Sequence, residues 1–389
     1  MIKSFAIFLR DFSFNRLVFI NRIFGRFNIR QKIVVGIVIS KKSPNLGSAG
    51  VMYESLVNNP DFDVFLVCNF LDTQKDLAAK GYNAHYRRAF SKIRLFLNTD
   101  VWLTTHGKFG IPIVGGKKRS YSIELWHGIP FGNVNSTDVA RKYNENDAVI
   151  VTSEYLKDFY VNNWRIDADI LKITGYPRND ALINNTYLSH NIRKELGLES
   201  KKIVLYAPTH EQAGEEKSLF PWNSFQTFKT LIDGLGDDTT LIVRTHPNWK
   251  GRIDRETAEL FSNSNAVYLP FKKYNNTEKL LSVTDVLITD WSSIYFDFIL
   301  LNRPTIFLDL PHPFENGLVM GPESRVGYQV SNGVQLKDKV LECLNDSNIY
   351  SEKFSKRLAE VISKAHKFTD GQSTERCVNL IKTLVRGSS

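Results

Sequence analysis

The stretch Asp285-Val286-Leu287-Ile288-Thr289-Asp290-Trp291-Ser292-Ser293-Ile294-Tyr295-Phe296-Asp297-Phe298 constrains the fold more than any other part of the chain. Its opening apolar run reads as a buried strand, and the run from Ile294 to Leu301 reads as a helix, with hydroxyls packed into the turn between them. A short buried strand, a polar turn and a helix together make the repeating unit of a doubly wound parallel sheet. The unit recurs along the chain. Residues Lys32 to Ile39 predict a first strand, ending in the Gly-rich Ser43 to Gly50, with a helix from Val51 to Asn58. The runs Val64 to Cys68, Val101 to Thr105 and Ala148 to Thr152 read as later strands of the same sheet. Tyr187 to Lys202 is polar and reads as a helix and connector. The pattern then restarts with Lys202 to Tyr206, Thr240 to Arg244, Ala266 to Pro270 and Arg303 to Leu308. Lys337 to Ser389 predicts helices around a turn at Phe368-Thr369-Asp370-Gly371.

Polar clusters stand where these strands end, and open α/β sheets bind ligands at the carboxyl ends of their strands. Thr209 and His210 follow one strand, Thr245-His246-Pro247 another, and Trp126-His127-Gly128-Ile129-Pro130 a third. At the Thr289–Ser293 turn, the unpaired N–H groups of a helix amino end add to two serine hydroxyls, so the turn reads as a phosphate seat. The alternative is that Ser292 only caps the helix. His127 reads either as a ligand-facing imidazole or as a histidine held by backbone partners in a tight turn. Gly47 and Gly50 are read as letting a loop turn, not as a nucleotide fingerprint.

A chain of 389 residues with 42% apolar and 23% charged side chains is globular and fits two domains. Cys68, Cys343 and Cys377 lie far apart without CxxC spacing, which argues against a disulfide framework or a cysteine metal site. The net charge of +9 is concentrated at the start: residues 1 to 32 hold seven basic side chains and one acid. No basic stripe with stacking aromatics runs through the body, so nucleic-acid binding is not expected. The opening cations alternate with Phe5, Phe8, Phe12, Phe14, Phe19, Phe24 and Phe27. Its uncharged stretches are far shorter than the ~18 residues that span a bilayer. An amphipathic segment lying on an anionic membrane surface is the expectation, and a helix packed on the protein's own body is the alternative.

Taken in order, Trp126-His127-Gly128-x-Pro130, Gly175-Tyr176-Pro177-Arg178-Asn179-Asp180, Tyr206-Ala207-Pro208-Thr209, Arg244-x-His246-Pro247, Thr289-Asp290-x-Ser292-Ser293 with Phe296-Asp297, and Arg303-Pro304 resemble the CDP-glycerol glycerophosphotransferase family of wall teichoic acid synthesis. The closing Asp370-Gly371-x-x-Thr374-x-Arg376 extends the likeness more loosely. The resemblance implies a GT-B-type architecture, two Rossmann-like domains facing across a cleft. The expected divisions are an amphipathic segment over 1–30, an acceptor-side domain over 31–185, a CDP-donor domain over 186–371, and a helix over 372–389 crossing back to the first domain.

It implies transfer of glycerol phosphate from CDP-glycerol to a hydroxyl of an undecaprenyl-pyrophosphate-linked saccharide or polymer, with release of CMP at the cytoplasmic membrane face. A CDP-ribitol-dependent transferase and a nucleotide-sugar glycosyltransferase of the same fold are the alternatives. On matching positions His127 is expected as general base, and His246 as stabiliser of the pyrophosphate or proton donor to CMP. Thr289, Ser292 and Ser293 are expected to hold phosphate oxygens, with Thr209 and Arg244 as helpers and Asp370 a candidate on the nucleotide side. Asp290 and Asp297 are read as bracing the turn. Metal-independent catalysis is expected, because Asp61-x-Asp63 and Asp167-x-Asp169 do not stand at strand ends of the donor half. The chain departs from the family's pattern at Phe131-Gly132, where a lysine is usual, at His210-Glu211, where an arginine is favoured, and at Trp291, where tyrosine is common.

Overall fold

Two parallel sheets organise the chain. The structure, a computed structural model, describes residues 32–40, 46–108, 111, 120–187, 189–199, 201–209, 219–246 and 253–387. The expected membrane-surface segment over 1–30 lies outside them. The strands of the first sheet are β1 (Ile33–Ile39), β2 (Phe62–Cys68), β3 (Ala84–Tyr86), β4 (Val101–Thr104), β5 (Tyr121–Glu124), β6 (Ala148–Val151) and β7 (Leu171–Ile173). Their order is β3-β2-β1-β4-β5-β6-β7. The second sheet contains β8 (Lys202–Tyr206), β9 (Thr239–Val243), β10 (Ala266–Tyr268), β11 (Val286–Thr289), β12 (Thr305–Leu308) and β13 (Tyr328–Val330), in the order β10-β9-β8-β11-β12-β13. Both are Rossmann-like orders, in which the first strand lies inside and the chain reverses direction of winding across it.

The strands read as apolar runs because they are covered on both faces. All seven residues of β1 are buried, and β1 pairs with β2 in parallel from Ile33↔Phe62 to Ile39↔Cys68. In such a strand burial shows no period of two. Gly36 lies at the middle of β1 because a Cβ there would run into the Trp102 indole. Trp102 packs with Phe65 and Phe96 in this core. In the second sheet β8 pairs with β9 on one side and β11 on the other, with Val204↔Val286 and Tyr206↔Ile288 in register. Ile203, Leu205, Ile242 and Leu287 share one core there with Ile192 and Leu198, from the stretch read as a connector.

The chain divides into two compact units. One holds the described residues up to Trp126 with 142–150 and 374–387. The other holds 127–141 and 151–373, so His127 groups with the second sheet's unit. Within the first unit, the last helix, Ser373–Arg386, is tied to the start of β2 by Lys382, whose Nζ lies 2.6 Å from Asp61 Oδ2. Two boundaries differ from the sequence reading. The helix expected from Val51 spans Gly47–Val57, so both glycines lie inside it, with Gly50 packed so closely on Leu46 that a Cβ would approach to 2.7 Å. The helix after the serine turn is α-helical only over Ile294–Phe298 and tightens to a 3-10 turn over Ile299–Leu301.

Candidate functional site

β8 and β11 are the neighbours across which the second sheet reverses, and their carboxyl ends are joined by one carboxylate. Asp290 is buried, its Oδ1 accepting from Thr209 N at 2.8 Å and Trp291 N at 2.7 Å, its Oδ2 from Thr209 Oγ1 at 3.0 Å. These donors hold the carboxylate in place between the two strand ends. The bracing read for Asp290 is thus visible as geometry. Thr289 differs from its expected role: it is fully buried and its hydroxyl donates to Ala207 O at 2.7 Å. Its proton ties β11 to the backbone just beyond β8.

Ser292 is half-buried and Ser293 exposed. Ser293, not Ser292, occupies the N-cap position, in helical conformation (φ −61°, ψ −16°) and without a side-chain cap hydrogen bond. Capping through a serine side chain needs extended backbone geometry at that residue, which is why the hydroxyl of Ser293 does not close the helix. Trp291 anchors the turn from behind. Its Nε1 donates to Leu310 O at 2.8 Å, the Arg325 guanidinium stacks 4.2 Å from its ring, and Phe131 meets it edge-on at 5.5 Å. Two positions where the chain departs from the family's pattern therefore touch each other.

The loop after β5 brings the His127–Gly128 backbone to this turn. Trp126, Gly128 and Ile129 are buried, whereas His127 between them is exposed. Gly128 has φ 151°, and a Cβ there would lie 3.6 Å from Ser293 Oγ and 3.4 Å from Arg178 Nη2. The His127–Gly128 backbone therefore runs directly against the serine turn, a close approach that glycine permits. Arg178, from the Gly175–Asp180 motif, donates from Nη1 to His127 O at 2.7 Å and from Nη2 to Asp297 Oδ2 at 2.6 Å. Its Nε faces Glu278 Oε1 at 3.7 Å. Burial alone would lower the Arg178 pKa, but Asp297 and Glu278 outweigh it and raise the pKa, so the cation is held.

Asp180 and Asn184 of the same motif region bind the loop that carries Asp370: Ser373 N donates to Asp180 Oδ1 at 2.9 Å and Asn184 Nδ2 to Gly371 O at 3.0 Å. Asp370 itself is exposed, its Oδ1 accepting from Gln372 N at 3.2 Å. His246, half-buried, follows β9 by three residues. Arg244 does not reach toward the serine turn. It is buried, donating from Nη1 to Tyr274 O at 2.6 Å and from Nη2 to Thr277 Oγ1 at 2.9 Å, and burial lowers its pKa to about 10, where it is still a cation at neutral pH. It braces the loop before helix Thr277–Val283, whose start is capped by Asn276 Oδ1 accepting from Lys279 N.

The structure thus joins Thr209 and Thr289 to the turn and brings the His127 loop to it. Arg178 and Glu278 carry the connection without having been assigned a role from sequence. Arg178 lay inside a motif that already resembled the family; Glu278 had no local signal. The DxD-spaced acids are engaged elsewhere: Asp61 with Lys382, Asp63 with Lys32 at 3.5 Å, and Asp167, whose Oδ1 accepts from Asp169 N at 3.0 Å.

In the first unit, Glu124 ends β5 fully buried. Its Oε2 accepts from Thr104 Oγ1 at 2.5 Å and Gly107 N at 2.8 Å, and burial pushes its pKa up to about 7 against those hydrogen bonds. Two residues on, Trp126 adopts φ 55°, a left-handed conformation uncommon for a bulky side chain.

The chain resembles known proteins along most of its length. The family model described as CDP-glycerol:poly(glycerophosphate) glycerophosphotransferase matches residues 21–383. A teichoic acid poly(ribitol-phosphate) polymerase of Bacillus spizizenii is 28% identical over 67% of this chain, which spans only 42% of that protein. A teichoic acid poly(glycerol phosphate) polymerase of the same organism is 27% identical over 74% of this chain and 76% of its own length. Among solved structures, the wall teichoic acid polymerase TagF superposes with a TM-score of 0.74 at 19% identity, over 98% of both chains, and so shares the fold. With its motifs in order and the family model spanning nearly all of it, the chain belongs to the CDP-glycerol:poly(glycerophosphate) glycerophosphotransferase family.

Proposed function

We propose that this chain transfers glycerol phosphate from CDP-glycerol to a hydroxyl of a lipid-linked acceptor and releases CMP. Membership of the family supports the donor class. The observation that carries the site assignment is the exposed His127 imidazole on a loop whose next residue lies against Ser293 Oγ. A base carried on a loop that meets hydroxyl donors suits displacement at phosphorus, where a proton must leave the nucleophile while negative charge gathers on phosphate oxygens.

In the reaction, the acceptor O–H gives its proton to the His127 imidazole as its oxygen bonds to the phosphorus bearing glycerol. The bond from that phosphorus to the bridging oxygen breaks, and the electron pair leaves with CMP. Ser292 and Ser293 hold non-bridging oxygens, and Asp290 keeps Thr209 and the turn in register beneath them. His246 stabilises the pyrophosphate or protonates departing CMP. The reading includes catalysis without an essential metal, which turnover in the presence of a chelator tests. It also places residues 1–30 on the cytoplasmic membrane surface; deletion of 1–28 is expected to release the protein from anionic liposomes. No described helix is long and apolar enough to cross a membrane.

The deciding experiment incubates the protein with CDP-glycerol and a lipid-pyrophosphate disaccharide and follows CMP. Absence of CMP with every CDP-polyol tested overturns the proposal. A CDP-ribitol donor is the second reading, supported by the similarity to a ribitol-phosphate polymerase. Calorimetric titration with CDP-glycerol, CDP-ribitol and UDP-sugars ranks the donors, and preference for a UDP-sugar would move the chain to the glycosyltransferase class.

A further inference from the structure

We propose that Arg178 is a positioning residue: its buried guanidinium holds the main-chain carbonyl of His127 and thereby sets the imidazole against the Ser292–Ser293 turn. Three contacts of the fork point in different directions. Nη1 donates to His127 O at 2.7 Å, Nη2 to Asp297 Oδ2 at 2.6 Å on the helix that follows the serines, and Nε lies 3.7 Å from Glu278 Oε1. The side chains involved are only 11%, 7% and 5% exposed. A buried ion pair would need only a carboxylate partner. What distinguishes this one is the donation to the peptide carbonyl of the very residue whose imidazole is the expected base, across 51 positions of sequence.

The placement of Gly128 shows why the strut matters. The peptide after His127 lies against both the guanidinium and Ser293, with a Cβ at Gly128 falling 3.4 Å from Arg178 Nη2 and 3.6 Å from Ser293 Oγ. Slack in the guanidinium therefore becomes slack between imidazole and serine. Glu278 completes the balance, as its carboxylate acts on both Arg178 and Arg244. Two cations and the two carboxylates of Asp297 and Glu278 leave the buried cluster near neutrality. A lysine carries the charge but is a point donor, and cannot reach the carbonyl and the carboxylate at once with N–H groups held in a fixed planar fork.

This inference rests on His127 serving as base, so the test has one arm that needs turnover and one that does not. With the full chain, Arg178→Lys is expected to remain folded by thermal melting and to lower kcat by about 30-fold or more, while the calorimetric Kd for CDP-glycerol changes by less than about threefold. Guanidinium ion added to Arg178→Ala is expected to restore activity by roughly tenfold, where ammonium at the same concentration does not. The second arm follows the His127 imidazole by NMR, its signal identified by its loss in His127→Gln. Replacing Arg178 is expected to shift that signal, because the guanidinium no longer holds the carbonyl of the same residue. If wild type releases no CMP, the functional reading fails and the NMR arm alone judges Arg178. A folded Arg178→Lys with wild-type kcat, or an unchanged His127 signal in both variants, overturns the proposal.

Discussion

Glu124 offers the sharpest test of the electrostatics. Its carboxyl is fully buried at the end of β5, and its pKa rises from the usual 4.5 to about 7. Because the folded value lies above the unfolded one, the folded state binds the proton more tightly. The corresponding stability is complete below the unfolded pKa and is lost as pH rises toward the folded one. A tenfold difference in proton affinity corresponds to about 1.4 kcal/mol, so the full loss is about 3 kcal/mol. Glu124→Gln removes the titration while leaving a carbonyl oxygen to accept from Thr104 and Gly107. Urea unfolding of wild type and variant at several pH values gives the measurement. The variant should gain on wild type by about 2 to 3 kcal/mol between about pH 5 and about pH 8, with the difference levelling above the folded pKa. A stability difference that does not change with pH would show that the Glu124 pKa is the same in the folded and unfolded states, and the burial argument would fall.

The hydroxyls of the turn should separate by role. Thr289→Val, which removes the bond to Ala207 O at a fully buried position, is expected to cost about 1 kcal/mol in denaturant melts and to leave CDP-glycerol affinity unchanged. Ser292→Ala and Ser293→Ala should do the reverse, weakening donor binding measured by calorimetry with little effect on unfolding. His127→Ala should lower the rate of CMP release by about 100-fold or more while the protein melts normally, and a variant that keeps its rate rules out the base assignment. Gly175→Ala forces a side chain onto φ 79° and into the Ser373 hydroxyl; a drop in thermal midpoint with a loss of about 2 kcal/mol is expected. A midpoint equal to wild type would mean that this joint yields freely.

What could be read along the chain was what is encoded over short distances. Apolar runs of parallel-strand length and the polar residues that end them mark β1, β8 and β11, because the sterics and burial of a strand act on consecutive residues. The motifs at the strand ends likewise named the turn and His127. The helix start at Gly47 was missed because glycine is a poor helix former in isolation, whereas in the fold Gly50 lies inside the helix packed closely on Leu46. Which hydroxyl is spent on a backbone partner was equally hidden. A strand buried on both faces shows no alternation, so nothing in Leu287-Ile288-Thr289 tells that the threonine turns to Ala207 while the serines beyond it do not.

Sequence alone determined two Rossmann-like sheets, a hydroxyl-rich turn after a central strand and a histidine after another. Only the tertiary structure decided that Arg178 holds the His127 carbonyl, that Asp290 ties Thr209 to the turn, and that Arg244 belongs to the 274–277 loop. Backbone propensity and burial pattern are local quantities. The partner of a buried charge is chosen by whichever distant group the packed sheet brings within hydrogen-bond reach, and no spacing along the chain records that choice.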